Sequence, residues 1–287
     1  NFQLRQVLSY KLEVFLMKLS VLMAVYHKDK AEYFSKAIES ISTIQTLKPD
    51  EIILVQDGLL TLELKNVIDN QKKLLGDVLK VVPLGQNRGL ANALNVGISY
   101  CSGDFIARMD TDDISTENRF LEQFTFLVNN PDVDVVGCWI SEIDEHNNII
   151  KAKVEYPLEH NELYSFFEKR DPLAHPSVMF RRSFFDKVKG YSNTIPLAED
   201  THLWYDGFRA GCQFANISYI GLQFRRNSAF YKRRSNLEKS IKLLKFRLFY
   251  INRHLNYGVK ADLYAVAYFC LSFMPSIVKK FLYRFLR

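Results

Sequence analysis

Short apolar runs alternate with amphipathic stretches along the first half of the chain. Leu19–Tyr26 (LSVLMAVY) has the length and composition of a buried strand. The next residues are His-Lys-Asp-Lys rather than a small-residue cleavage site, so the run reads as a strand and not as a leader. Asp29 with Glu32 makes a capping-box pattern, and Phe34, Ala37, Ile38, Ile41 and Ile44 then recur at helical spacing until Pro49-Asp50. Glu51–Val55 is a second strand, a helix follows from Thr61, and Val78–Val82 is a third strand. A short helix over Gly89–Ser99 leads into a fourth strand, Asp104–Met109. Strand starts near 19, 51, 78 and 104 lie 32, 27 and 26 residues apart. That is βαβ spacing, and it predicts an α/β, Rossmann-like, mostly parallel sheet with helices on both faces.

The pattern beyond is less even. Residues 115–129 read as a helix, Val133–Ile143 as a strand and His146-Asn147-Asn148 as a turn. From Arg170 to about Asn236 no clear period emerges, and 236–256 and 261–287 then look helical. Residues 1–16 form an N-terminal extension to which no function is given.

Composition narrows the classes. The chain has 287 residues with 48% hydrophobic and 24% charged positions, which excludes disordered and collagen-like chains. No apolar run reaches the roughly 18 residues of a spanning helix. Cys101, Cys138, Cys212 and Cys270 include no C-x-x-C pair, so they read as core thiols of a cytosolic protein. The net charge of +6 is uneven: residues 1–224 sum to −7 and residues 225–287 to +13. A weakly acidic body with a basic tail predicts an anionic surface as partner.

In open parallel sheets, ligands bind beyond the carboxyl ends of the strands. That rule selects Tyr26-His27-Lys28-Asp29, then Gln56-Asp57-Gly58, then the loop 84–89, then Asp110-Thr111-Asp112-Asp113. The last group carries the most chemistry. Asp110 and Asp112 point to one side if the backbone is extended, and close carboxylates repel unless a cation neutralises them. Oxygen ligands favour Mg2+ or Mn2+. The plainer reading is a helix cap: Asp113, or Ser115 with Asn118, could cap a helix beginning near 116. No phosphate loop of the G-x-x-x-x-G-K-[ST] type occurs, and no G-x-G-x-x-G follows the first strand. A P-loop NTPase and a standard dinucleotide oxidoreductase are therefore disfavoured.

MAVYHKD, VQDG, QNRGLANALNVGI and ARMDTDD at the four strand ends, with HPSVMFRRSFFDKVKGY and AEDTHLWYDGFRAG later, resemble family-2 inverting glycosyltransferases with the GT-A fold. The flavour is that of bacterial exopolysaccharide and O-antigen transferases, and the resemblance covers about 17–225. It implies a nucleotide-sugar half over 17–114 and an acceptor half over 115–225. Ala24 and Tyr26 would line the base pocket, and Asp57 would accept from uracil N3. Asn87 and Arg88 would lie near base or ribose, Asp110 would contact the ribose, Thr111 would join the nucleotide-sugar site, and Asp112 would bind the metal bridging the diphosphate. Asp200 would be the general base, with Glu199, Trp204 and His175 on the acceptor side. Gln56 and Leu59 depart from the family, many members of which have an acid and a serine there.

Several residues keep a plainer reading. Trp204 could stack on a sugar or fill the core, His175 could be a structural histidine at a turn, and Arg181-Arg182 could be a solvated pair. Residues 225–234 hold five cations and two aromatics, a mixture that also suits nucleic acid, yet no nucleic-acid motif accompanies it. Residues 263–278 are apolar and are followed by KKFLYRFLR. The tail, 226–287, is therefore expected either to lie in an anionic membrane interface or to pack on the catalytic domain. The expected function is metal-dependent, inverting hexosyl transfer from a UDP-sugar to a saccharide acceptor, lipid-linked, at the cytoplasmic face of the membrane. A nucleotidyltransferase and a non-catalytic nucleotide-sugar-binding subunit are the alternatives.

Overall fold

The computed structural model describes residues 16–195, 198–226 and 237–274. The expected extension 1–16 lies outside the described residues except for Leu16, as do 227–236 and 275–287 of the basic tail.

The first four strands are β1 (Leu19–Val25), β2 (Glu51–Gln56), β3 (Leu79–Pro83) and β4 (Phe105–Arg108). Between them run α1 (Ala31–Ile41), α2 (Leu62–Leu75) and α3 (Leu90–Tyr100). Thr61 caps α2 by accepting a hydrogen bond from the Leu64 amide. Asp29 does not cap α1. Its carboxylate turns back to the Tyr26 amide at 3.0 Å, and the residue before the helix, Lys30, makes no side-chain cap.

β1 pairs in parallel with β2 and β4, and β2 with β3. β1, β2 and β4 are buried on both faces, which is why they read as continuous apolar runs, whereas the edge strand β3 exposes Lys80 and Pro83. Alternation still sorts their side chains: Leu22 and Ile53 face one core cluster, and Val21, Met23, Ile52 and Leu54 face the other.

The second half departs from the parallel expectation. It adds β5 (Ile114–Ser115), β6 (Val135–Ile143), β7 (Ile149–Val154), β8 (Met179–Arg181) and β9 (Phe214–Arg225). The described strands form one mixed sheet in the order β3-β2-β1-β4-β8-β6-β9-β5, with β7 paired to β6. β8 runs antiparallel between β4 and β6, and β9 lies parallel to β6. The helix expected near 116 begins only at Arg119, as α4 (Arg119–Asn129), because Ile114–Ser115 is captured by β9. Asn118 provides no side-chain cap there.

The remaining helices are α5 (His160–Phe167), α6 (Ser183–Val188), α7 (Glu199–Arg209), α8 (Leu237–Phe246) and α9 (Val259–Ser272), with a π-helical turn at Arg247–Ile251. α7 packs through Trp204 and Phe208 against Phe180 and Phe214, all buried. Truncating one such aromatic costs about 3–5 kcal/mol. The same cluster includes Phe246, Ile251, Leu255, Tyr257 and Ala261. Tyr164 and Tyr257 fasten this segment by hydrogen bonds to the Leu255 and Tyr164 carbonyls. Residues 246–261 of the expected tail therefore pack on the body. Cys101, Cys138 and Cys212 are buried as expected, whereas Cys270 is exposed on α9.

Candidate active site

The four carboxyl ends of the parallel strands meet at one rim. Beyond β2, both Asp57 carboxylate oxygens accept backbone N–H groups of the third loop, from Arg88 at 2.7 Å and Gly89 at 3.0 Å. Asn87 donates to the Asp57 carbonyl at 3.2 Å. The two loops are thus tied together, and a carboxylate with about four lone-pair sites keeps capacity for a further donor. Gly58 allows the close approach: it holds φ +85°, and a Cβ there would lie 2.6 Å from the Asn87 nitrogen. Asn87 and Arg88 are exposed, and Ala24 and Tyr26 are half-buried at the end of β1.

Beyond β4, ligand atoms of Asp110, Asp112 and Asp113 lie within 4.8 Å of one another. Two arginines fix this loop. Arg108, fully buried, pairs with Asp110 and with the Met109 carbonyl. Arg225 donates its amide to Asp113 Oδ1 and its Nε to the Asp112 carbonyl, each at 2.7 Å. Its other nitrogens hold the Asp144 carbonyl and Asn147, and its guanidinium lies 4.1 Å from the Tyr33 ring centre. Asp113 Oδ2 is buried without a hydrogen-bond donor. Burial, then Asp112 and Asp110, push the Asp113 carboxyl well above the usual range. A lone capping residue would show none of this. Three converging carboxylates with one orphaned oxygen fit a hard divalent cation.

Asp29, read from sequence as a cap, belongs to this cluster. Its carboxyl is pushed up to about 7, chiefly by burial, with Asp112 and Asp110 adding to the rise and the Tyr26 amide and the Thr111 hydroxyl opposing it. Thr111 is buried and so acts on Asp29 from inside the loop.

Asp200 stands in the first turn of α7, half-buried, with Oδ1 accepting the Thr201 amide at 2.8 Å. Burial, then Asp171, push its carboxyl up to about 7, and Glu199 adds to the rise; Lys239 and the amide bond oppose it. Burial outweighs the favourable helix N-terminus. Asp171 is itself held by the Thr201 hydroxyl at 3.0 Å and by Arg247 at 3.4 Å.

Tyr191 lies near both acidic groups. Its hydroxyl bonds His175 Nε2 at 2.9 Å. Burial raises its pKa, and both Asp110 and Asp200 add to the rise. Both acids therefore lie near one hydroxyl. His175 is buried, its pKa lowered to about 3 by burial and by Arg108, so it stays neutral. Trp204 is fully buried between Phe180 and Phe214. Neither residue presents a face to an acceptor, because the aromatic core of the second half claims both.

The basic stretch 225–234 is also redistributed at its start. Arg225 ends β9, and Arg226 pairs with Glu142 at 3.1 Å, both largely buried. Asp29 lay in one of the strand-end segments selected from sequence, but Arg108, Arg225, Asp171 and Tyr191 were missed as site residues. Only Arg108 carried a local signal, two positions before Asp110.

Residues 20–189 match the family model described as Glycosyl transferase family 2. The chain is 35% identical over 241 residues to UDP-Gal:alpha-D-GlcNAc-diphosphoundecaprenol beta-1,3-galactosyltransferase of Escherichia coli, covering 84% of this chain and 86% of that one. It is 32% identical over 267 residues to the amylovoran biosynthesis glycosyltransferase AmsE of Erwinia amylovora, covering 92% and 97%. Among solved structures, S. aureus TarS 1-349 in complex with UDP-GlcNAc superposes with a TM-score of 0.59 at 16% identity, over 89% of this chain and 81% of that one. The last likeness is one of fold, that of the GT-A glycosyltransferases.

Proposed function

Because the chain belongs to glycosyl transferase family 2, we propose that it moves a hexose from a UDP-sugar onto a lipid-linked saccharide, with inversion at the anomeric carbon, in the synthesis of a bacterial surface polysaccharide. The observation that carries the reading is the carboxylate cluster of Asp110, Asp112 and Asp113 at the carboxyl end of the parallel strands. Asp112 would hold Mn2+ or Mg2+ there, and such a cation offsets the charge that develops on a departing diphosphate.

The chain's own residues do the rest. Ala24, Tyr26, Asp57, Asn87 and Arg88 receive the nucleotide, and Asp110 and Thr111 lie toward its sugar. Asp200 accepts the proton of the attacking hydroxyl. As that oxygen bonds to the anomeric carbon, the bond from the carbon to the diphosphate breaks, and UDP leaves with the electron pair. A carboxyl near 7 is half ionised at neutral pH, which suits a base that must take a proton and release it again. Glu199 sits beside it on the acceptor side.

Attachment to the cytoplasmic face of the membrane completes the proposal. Among the described residues, no helix is long and apolar enough to cross a membrane. Leu263, Tyr264 and Val266 of α9 are exposed, and the +13 excess of residues 225–287 favours an anionic surface. The test is a titration of full-length protein with UDP, with and without Mn2+. The proposal expects affinity that depends on Mn2+ and vanishes in Asp112→Ala. Undiminished affinity in the folded variant would contradict it.

A further inference from the structure

A chain of hydrogen bonds runs from Asp200 to the C-terminal helices. Thr201 uses both of its donors: its amide bonds Asp200 Oδ1 at 2.8 Å, and its hydroxyl bonds Asp171 Oδ2 at 3.0 Å. The other oxygen of Asp171, Oδ1, accepts from Arg247 at 3.4 Å. Arg247 is buried and opens the π-helical turn. It also donates to the Phe167 carbonyl at 3.0 Å and lies over the Phe167 ring, 5.3 Å from its centre. Phe246 before it and Ile251 at the end of the turn are buried in the core, which anchors the backbone that carries the guanidinium. π turns put an extra residue into a helix and recur at functional sites. The start of α7 needs such support. Ala198 precedes the helix and offers no side-chain cap. Asp171, from outside the helix, holds the first turn through Thr201 instead. The family match ends at residue 189, so Arg247 lies beyond it.

We propose that Arg247 is a positioning residue for Asp200: it fixes Asp171, and Asp171 in turn fixes Thr201 and faces the base with a charge that the guanidinium offsets. The inference rests on the reading of Asp200 as the proton acceptor, and it makes the helical segment after β9 part of the active site. An acid beside the base is a hazard unless it is held, because like charges disfavour ionisation. After burial, Asp171 does most to raise the Asp200 carboxyl. With Arg247 in place, Asp171 is a braced hydrogen-bond acceptor rather than a bare charge. Asp200, Asp171 and Arg247 line one cavity of about 170 Å3, together with Lys169 and Arg170 beside Asp171, Lys239 on α8 and Tyr268 on α9. Glu199 on α7 adds to the rise of the Asp200 carboxyl, and Tyr191 lies near it. Lys239 acts on Asp200 directly and favours its ionised form. Arg247 differs: its guanidinium is engaged by the Phe167 carbonyl and by Asp171, so its effect on the base passes through that acid.

The experiment uses full-length protein and four backgrounds: wild type, Arg247→Gln, Asp171→Asn and the double variant. In each, the change in melting temperature that Asp200→Asn makes is followed with pH, which reports the Asp200 carboxyl without any transfer assay. Removing the guanidinium leaves Asp171 uncompensated, so at pH 8 that change should be larger in Arg247→Gln than in wild type. Removing the acid should make it smaller in Asp171→Asn. In transfer assays, the limb of kcat/KM should move by about half a pH unit or more in the same two directions, up in Arg247→Gln and down in Asp171→Asn. Arg247→Gln should also lower kcat roughly ten-fold, as a displaced group does, with UDP affinity in Mn2+ unchanged. Arg247→Lys keeps the charge and should return the limb toward its wild-type position. The double variant decides the route: if Arg247 acts through Asp171, it matches Asp171→Asn alone. A double variant displaced from Asp171→Asn by as much as Arg247→Gln is from wild type overturns the inference. So does a lowered melting temperature in Arg247→Gln with no change in either pH readout. Near-normal turnover in Asp200→Asn would remove the base reading by itself, and the melting data would still decide whether Arg247 acts on Asp200.

Discussion

Asp112 lies among carboxylates, with Asp110 and Asp113 within 4.8 Å, whereas Asp200 lies beside Asp171 and Glu199 and within reach of Lys239. Both places disfavour a bare negative charge, but they relieve it differently. The first is cross-braced by Arg108 and Arg225, which fix the loop yet leave Asp113 Oδ2 without a donor. A rigid group of acids with an orphaned oxygen would suit the proposed metal ion. The second has its one amide bond and a nearby lysine, and its carboxyl sits near 7. A half-buried acid whose carboxyl is raised to about 7 would suit the proposed exchange of a proton. Under the proposed roles one residue type would serve two chemistries; each aspartate has two neighbouring acids, and what differs is the bracing, arginines around the first and an amide with a nearby lysine at the second.

The largest effect expected from breaking this contrast is at the first site. Asp112→Ala should lower transfer by about 10^3-fold or more, since a cation at a departing diphosphate supplies several kcal/mol. Transfer assays in Mn2+ check this, and a loss below ten-fold would count against the assignment.

Asp200→Asn should lower turnover by roughly 10^2–10^4-fold, the usual weight of a general base. It should also stabilise the fold at alkaline pH. The sign follows from linkage: a carboxyl raised in the folded state from 3.8 to about 7 costs stability increasingly as pH rises between these values, and fully above them. The melting temperature of Asp200→Asn should therefore exceed that of wild type at pH 8, and the gap should close toward pH 4. A gap independent of pH would put the raised carboxyl elsewhere.

Arg225→Lys keeps the charge but loses the fork that holds the aspartate loop. Affinity for UDP with Mn2+ should weaken roughly ten-fold, about the weight of one hydrogen bond to a charged group. Unchanged affinity would show that the loop holds its shape without the fork.

The smallest effect is a shift in pH dependence. kcat/KM should rise as Asp200 deprotonates near 7. Lys239 favours the ionised form, so Lys239→Gln should move that limb to higher pH. Asp29 is also raised to about 7, and retention of the limb in Asp29→Asn would assign it to Asp200.

The donor end was legible because it is local. Each strand is one apolar run, each loop follows its own strand, and Asp57 and Asp110–Asp113 sit within a few residues of a strand end. The acceptor end is assembled over distance. β9 pairs with β6 with register shifts around Trp139, and its mixed burial gives no clean period. Arg225 read as part of a basic tail because nothing near it announces a strand that ends on Asp113. Trp204 lies one turn along α7 from Asp200, which suggested a shared surface, yet that turn points into aromatic residues contributed by β8 and β9. Asp29 fitted both a cap and the first strand-end segment, and the neighbouring aspartate loop favours the second. Of the two fates expected for the tail, packing on the body holds for residues 246–261, which complete the core.

The central claim is that metal and base are separate acids, Asp112 on the loop after β4 and Asp200 in the first turn of α7. Calorimetric titration of UDP with Mn2+ into Asp112→Ala and Asp200→Asn, side by side, tests it most directly. The account predicts that Asp112→Ala loses Mn2+-dependent binding while Asp200→Asn binds as wild type does. Loss of binding in both variants, or in neither, would contradict it.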